Sequence, residues 1–254
     1  MLTFLRRIRK GLLSDGAIPK YLLYAIGEIA LVVIGILIAL QINNWNEERK
    51  DRSKEQWIIQ NIYDELNENY LYLDGYSVQL ESAIKNAKSL LEVTGPEPQY
   101  LSQDSFTKLL GQVNFIVPYS PIDAQYRQLV TGENLDLIQF DSLKQLIATM
   151  DQTMVVTKDI FDSGASARGN LMQYMNEYGV SLDYIVRYNH TDEVRDVKKS
   201  RFVQHVNLIL SDPKFENRIG PILSQYSWHL LLITFYKRDI ETVIDYIERH
   251  YKIE

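Results

Sequence analysis

The longest apolar run in the chain lies between Leu22 and Leu40, LLYAIGEIALVVIGILIAL, where Glu28 is the only charged residue. As a helix rising about 1.5 Å per residue, this run reaches about 28 Å, close to the hydrocarbon thickness of a bilayer. Tyr21 and Tyr24 stand at one end, and Gln41, Asn43, Asn44 and Trp45 at the other. Such aromatic and amide groups suit a membrane–water interface. The run is longer than the apolar segment of a cleaved signal peptide, and no A-x-A-like site follows it. The pattern predicts an uncleaved signal-anchor helix over residues 21–42, preceded by a basic leader (1–20) and followed by a body (43–254).

Beyond the anchor the apolar residues become periodic. Ile59, Ile62, Leu66, Tyr70, Leu73, Leu80, Ile84, Ala87 and Leu91 recur at three- and four-residue spacing, with Ser77 the only gap. That is the stripe of an amphipathic helix, and Gly95-Pro96-Glu97-Pro98 stops it. Short helices are predicted over Ser102–Val113, Asp123–Val130 and Phe202–Leu210, with a turn at Thr131–Asn134. A second long helix is predicted from Ser142, capped by Asp141, to about Tyr178, with Gly164 and Gly169 weakening its middle. Asp212-Pro213 predicts the start of a third, whose stripe Leu223, Tyr226, Leu230, Ile233, Ile240, Ile244, Ile247, Tyr251 is interrupted only by Lys237. The run Leu230–Ile233 is cut too short by Lys237 and Arg238 to span a bilayer and reads as core. Only Asn114–Val117 has local strand character, and residues 186–200 read as an exposed polar loop or frayed helix. The fold class is therefore all-α: one N-terminal transmembrane helix, then an antiparallel bundle with three long and about three short helices.

Charge sharpens this picture. The leader holds Arg6, Arg7, Arg9, Lys10 and Lys20 against Asp15, whereas residues 41–254 carry 22 basic and 31 acidic side chains, so the body is near −9. An acidic body lacks the clustered cations a nucleic-acid surface needs. Basic residues flank both ends of the anchor, Arg49, Lys50, Arg52 and Lys54 being interleaved with acids. The short basic leader of a first helix normally sets the orientation, which predicts an N-terminus in the cytoplasm and a body outside it. The absence of cysteine excludes disulfides, thiolate metal sites and thiol nucleophiles.

The segment YLLYAIGEIALVVIGILIALQINNWNEERK (21–50) resembles the anchor of a Bacteroidetes family catalogued only as a domain of unknown function. The stretch SPIDAQYRQLVTGENLDLIQFDSLKQLI (120–147) is similar to the same family, more loosely. The resemblance implies an inner-membrane protein with an extracytoplasmic, periplasmic helical domain, and it supplies no activity and no catalytic residues.

The search for chemistry returns little. His190, His205, His229 and His250 form no H-E-x-x-H or E-x-x-H pair, and read as core or surface imidazoles rather than metal ligands. Gly164 to Asn170 has the glycine spacing of a phosphate loop but lacks its Lys and Ser/Thr. Acidic groups such as Asp64-Glu65 and Glu241/Asp245/Glu248 read as solvated helix faces. No G-x-S-x-G setting occurs. Two features stand out as contact candidates. Glu28, Gly35 and Ala39 share one stripe of the anchor, where a carboxylate and small residues suit helix–helix packing in lipid; a snorkelling Glu28 is the alternative. Tyr119, Tyr126, Arg127 and Asn134 lie in a Pro- and Gly-bearing connection, where recognition residues often sit, although turn formation and packing explain them as well. The expected function is non-enzymatic, without cofactor or metal. It is a membrane-anchored interaction or scaffold protein that contacts the lipid bilayer and binds an envelope protein or itself. The alternative is a sensor that binds a small solute between its helices and signals through a membrane partner.

Overall fold

The structure is a computed structural model that describes residues 18–188, 194, 197–202 and 205–253. Arg6, Arg7, Arg9 and Lys10 of the leader, and His190, lie outside the described residues. All regular structure among them is helical: α1 (Ile18–Val93), α2 (Gln103–Asn114), α3 (Ala124–Thr131), a 3₁₀ turn (Glu133–Leu137), α4 (Asp141–Glu177), α5 (Ser181–Tyr188), α6 (Val206–Leu210) and α7 (Pro213–His250). The chain divides into two units, residues 1–57 and 58–254, with α1 contributing to both.

In the first unit α1 is the one helix among the described residues long and apolar enough to cross a membrane, and none of its most apolar window is buried. Leu23 and Leu31 are 76% and 74% exposed. An apolar surface of this kind is stable only against an apolar medium or partner.

In the second unit the periodic stripes meet. Ile59, Ile62, Leu66, Leu73 and Leu80 of α1 are buried against Ile219, Ile222, Ile233 and Ile240 of α7 and Leu143, Ile147 and Leu171 of α4 in one core. Each such side chain contributes about 1.5–3 kcal/mol on burial, which outweighs the exposed ion pairs at below about 1 kcal/mol each. The Tyr63 hydroxyl donates to Glu248 (2.8 Å), the Tyr70 hydroxyl donates to Glu241 (2.5 Å), and Asp74 pairs with Lys237. Each step up α1 is matched by an equal step down α7, so the two run antiparallel. Helices α4 and α7 are antiparallel as well. The Phe140 ring meets Tyr246 (6.2 Å), Thr153 Oγ1 donates to Asp239 (2.7 Å), and the Tyr174 ring meets Phe215 (6.2 Å).

Several local expectations are corrected. Asp141 does not cap α4: Phe140, with φ −92° and ψ 110°, takes the cap position, and Asp141 lies in the first turn paired with Lys144 at 3.1 Å. The α4 helix runs unbroken through Gly164 and Gly169, in keeping with the long helix expected to about Tyr178. Asn114–Val117 forms no strand; α2 ends at Asn114, and the backbone turns extended at Phe115 (φ −89°, ψ 94°). The short helices number more than expected, because α5 follows directly on α4. Gly179, at φ +69°, supplies the left-handed turn that closes α4, and the Val180 N–H returns to Met175 O at 3.3 Å. Asp183 of α5 is buried and accepts from Gln103 Nε2 (3.0 Å) and the Ser200 N–H (2.7 Å). The last short helix begins at Val206, not Phe202, with exposed His205 at its cap. The Asp212-Pro213 start holds: Asp212 Oδ1 accepts from the Lys214 N–H at 2.8 Å, with Pro213 at the first helical position.

Candidate functional site

Glu28, Gly35 and Ala39 of the apolar α1 stripe are all exposed, and no described side chain comes within 4 Å of a Cβ placed on Gly35. Their position is open to a partner outside the chain.

The second candidate stretch, residues 115–127, is held by its backbone. One face of α1 carries Glu65, Asn69 and Tyr72, spaced by four and three residues, so all three point the same way. Asn69 grips a single peptide residue from both sides: its Oδ1 accepts from the Ile122 N–H (2.8 Å) and its Nδ2 donates to the Ile122 carbonyl (2.5 Å). The Tyr72 hydroxyl donates to Pro118 O (3.0 Å) and accepts from the Ser120 N–H (3.1 Å). The Glu65 oxygens accept from the Gln125 N–H (2.8 Å) and the Tyr126 N–H (2.9 Å). Those two amides are the ones an N-cap side chain normally satisfies. Asp123 occupies the cap position but turns away to Arg127 (2.5 Å), and Glu65 replaces it from another helix. Glu65 is only 6% exposed, which corrects its reading as part of a solvated acidic face.

The strap so fixed delivers its aromatic residues inward. Tyr119 and Tyr126 are 8% and 4% exposed, and so do not project as recognition groups. Arg127 is exposed and Asn134 half-buried, its Nδ2 3.4 Å from Gln128 O. Gly132 belongs there for a steric reason: a Cβ would stand 2.8 Å from Gln128 O.

Tyr119 enters a ring cluster centred on His229 of α7. Ring centroids of Tyr76, Tyr119 and Phe161 lie 5.4, 5.5 and 5.8 Å from the imidazole. The Tyr76 and Tyr119 hydroxyls and His229 Nε2 are buried with no hydrogen-bond partner among the described residues, as are Gln225 Oε1 and Asn114 Oδ1. Buried polar atoms are normally paired, so this concentration is unusual. Beside the cluster stands Arg168 of α4, its guanidinium over the Phe161 ring (5.4 Å) and the Tyr226 ring (5.9 Å). Burial pushes His229 down to about 4, with Arg168 adding to the shift. Burial likewise pushes Tyr226 up to about 12, against the pull of Arg168. The imidazole is therefore neutral at physiological pH, and among the described residues Arg168 is the one cation acting on both groups. Among the described residues, no three His, Asp or Glu side chains converge as a metal site would require.

Comparison with known families adds one finding. A family model, described as a family of unknown function (DUF6090), matches residues 28–150. Neither curated proteins nor solved structures give a match. The matched stretch contains the anchor from Glu28, the α1 face that bears Glu65, Asn69 and Tyr72, and the strap those residues hold. Both halves of the backbone clamp thus lie inside it, while Arg168 and His229 lie beyond it.

Composition and pairwise spacing did not point to Glu65, Asn69, Tyr72 or Arg168. A seven-residue reading would have found two of them. Asn69 interrupts the series Ile62, Tyr76, Ala83, Leu90, and Arg168 interrupts Ile147, Met154, Phe161, Met175.

Proposed function

We propose that the protein is a membrane-anchored extracytoplasmic helical interaction or scaffold protein that binds another envelope protein or associates with itself. The orientation proposed with it, N-terminus in the cytoplasm and body in the periplasm at the inner membrane, follows from the basic leader and from the Bacteroidetes anchor that residues 21–50 resemble. The observation that carries the reading is the apolar α1 surface from Leu22 to Ile42, which nothing among the described residues covers and which holds Glu28, Gly35 and Ala39. The body adds solvent-facing apolar side chains, Leu71 and Val78 of α1 at 71% and 65% exposure and Trp228 of α7 at 56%.

Two measurements test it. The chain has no cysteine, so Thr3→Cys and Ser163→Cys can each be probed in intact cells with a membrane-impermeant maleimide. Labelling of Ser163→Cys alone, in cells with a permeable outer membrane, is the expected result; labelling of Thr3→Cys alone reverses the orientation. The mass of the detergent-solubilised protein should exceed that of the monomer plus its micelle, or a stoichiometric envelope partner should remain attached. Glu28→Leu should weaken that association if the carboxylate forms the contact. A monomer without a partner defeats the reading.

A second reading, a sensor that binds a small solute within the body, is favoured by a separate observation: the unpartnered polar atoms gathered around Arg168 and His229. In that case α1 is the covalent link from the solute site to the membrane.

A further inference from the structure

We propose that the junction of α2, α4, α5 and α7 around Arg168 is a binding site for a small monocarboxylate bearing an adjacent hydroxyl or ammonium group. The inference rests on the sensor reading and names its ligand chemistry and residues.

Arg168 is a half-buried cation with no carboxylate in ion-pair reach among the described residues, although the body is acidic and ion pairs are common elsewhere on it. The Phe161 and Tyr226 rings, with centroids 5.4 and 5.9 Å from its central carbon, shield part of the guanidinium from water. Arginine's fork then offers paired donors to a planar carboxylate. Cation–π stacking accounts for the faces of the guanidinium, and its edge also acts on the Tyr226 hydroxyl, so a carboxylate would meet the donors that remain. With Arg168 the one described cation acting on Tyr226 and His229, a monoanion matches the charge better than a phosphate dianion does.

The surrounding polar atoms define the rest of the ligand. The Tyr226 hydroxyl donates to Val113 O at 2.7 Å, which ties α7 to the end of α2 and brings Asn114 to the same junction. Asn114 Nδ2 donates to the Tyr184 hydroxyl of α5 at 3.0 Å, leaving Asn114 Oδ1 as a buried acceptor without a donor. Gln225 Oε1 is a second such acceptor. The Gln225 Cβ and Arg168 Nη1 each lie 3.7 Å from the position a Cβ on Gly164 would take, so the two side chains flank one small residue. Gln225 Oε1, on the side chain that shares Gly164 with Arg168, calls for a ligand with a donor next to its carboxylate, and Asn114 Oδ1 at the same helix junction offers a second acceptor. An α-hydroxy or α-amino acid has that arrangement. Arg168 is partly exposed, so the site opens to the surrounding medium.

The test uses the full chain in mild detergent, with binding followed by calorimetry and thermal unfolding. The probes are glycolate and L-serine, with acetate, acetamide and inorganic phosphate as comparisons. Saturable binding of glycolate or L-serine is expected, stronger than that of acetate, with a rise in Tm of about 5–10 °C at a hundredfold excess over Kd. Arg168→Gln should abolish it. Asn114→Asp, which keeps the side-chain shape and places a negative charge at the acceptor, should weaken it at least tenfold even if the Arg168 variant is unstable. Saturable binding of phosphate or acetamide alone overturns the carboxylate assignment while leaving the solute-sensor reading in place. Absence of saturable binding by every probe, or binding unchanged in both variants, overturns the proposal, and absence by every probe removes support from the sensor reading as well.

Discussion

Glu65 and Tyr126, 61 positions apart in the chain, are joined by a buried hydrogen bond in which the Tyr126 N–H donates to Glu65 Oε1 at 2.9 Å. The other Glu65 oxygen takes the Gln125 N–H, so one carboxylate closes the N-terminus of α3 from a different helix. Charge suits this end, since the aligned peptide dipoles and free N–H groups favour an anion there. Glu65→Ala leaves two amides unpaired in a buried setting, each costing about 1–3 kcal/mol. A loss of about 2–4 kcal/mol is expected in chemical denaturation of the detergent-solubilised protein. Glu65→Gln keeps one acceptor and should lose less than half as much. Equal losses would mean that charge rather than acceptor geometry dominates the cap.

What the sequence disclosed and what it concealed separate along physical lines. The stripes of α1, α4 and α7 were legible because burial of many periodic side chains imposes a pattern no single residue can disguise. The Asp212-Pro213 start was legible because a cap is local, made between neighbours in the chain. The Asp141 cap failed for the same physics in reverse, as its carboxylate found Lys144 within the turn. Glu65 was hidden because its partners are amides on a remote segment, and amides have no sequence signature. Tyr119 and Tyr126 stood out as recognition candidates, but their surroundings depend on the strap's backbone, so sequence could not tell an outward ring from an inward one. Lys237 shows how an apolar register tolerates a cation: its ammonium lies 4.5 Å from the centre of the Tyr70 ring and pairs with Asp74, which outweighs the opposing effect of burial and raises its pKa.

His229 makes stability depend on pH. Its folded pKa, about 4, lies below the ordinary 6.5. The unfolded chain takes up the proton near pH 6.5, whereas the native state resists until about pH 4, so stability is complete above 6.5 and declines as pH falls through this window. The facing groups are Tyr76, Tyr119 and Phe161, with Arg168 the adjacent charge. At about 1.4 kcal/mol per unit, the loss is about 3 kcal/mol. His229→Phe should flatten the stability profile between pH 4 and 6.5 relative to the wild type. Arg168→Gln should move the imidazole titration, followed by NMR, upward.

Asp212 joins two elements at once. Its Oδ2 accepts from the Tyr174 and Tyr178 hydroxyls, both at 2.8 Å, while Oδ1 caps α7. The Lys214 N–H, then the Tyr174 hydroxyl, hold its carboxyl below the ordinary 3.8. A lowered carboxylate pKa gives stability that is present above the unfolded value and lost as pH falls through the folded one. Asp212→Ala should cost about 1–2 kcal/mol from the cap alone, and unlike His229→Phe it should leave the pH 4–6.5 window unchanged. Loss of protection from amide hydrogen exchange should appear at the end of α4 as well as the start of α7, since Tyr174 and Tyr178 lose their acceptor.

Two glycines give opposite expectations from the same substitution. Gly75 lies inside α1 on its exposed face, with nothing within 4 Å of a Cβ built there. Gly75→Ala removes backbone freedom from the unfolded chain and should stabilise by about 0.4–1 kcal/mol. Gly132 is also exposed, but its Cβ would stand 2.8 Å from Gln128 O, a backbone atom of the last turn of α3 that no rotamer change can move. Gly132→Ala should destabilise by about 1–3 kcal/mol, through overpacking of the turn. Denaturant midpoints of the two variants on either side of wild type would confirm that Gly132 is kept for space. A stabilised Gly132→Ala would show that the turn yields freely, and would remove the steric reason for a glycine between α3 and the 3₁₀ turn.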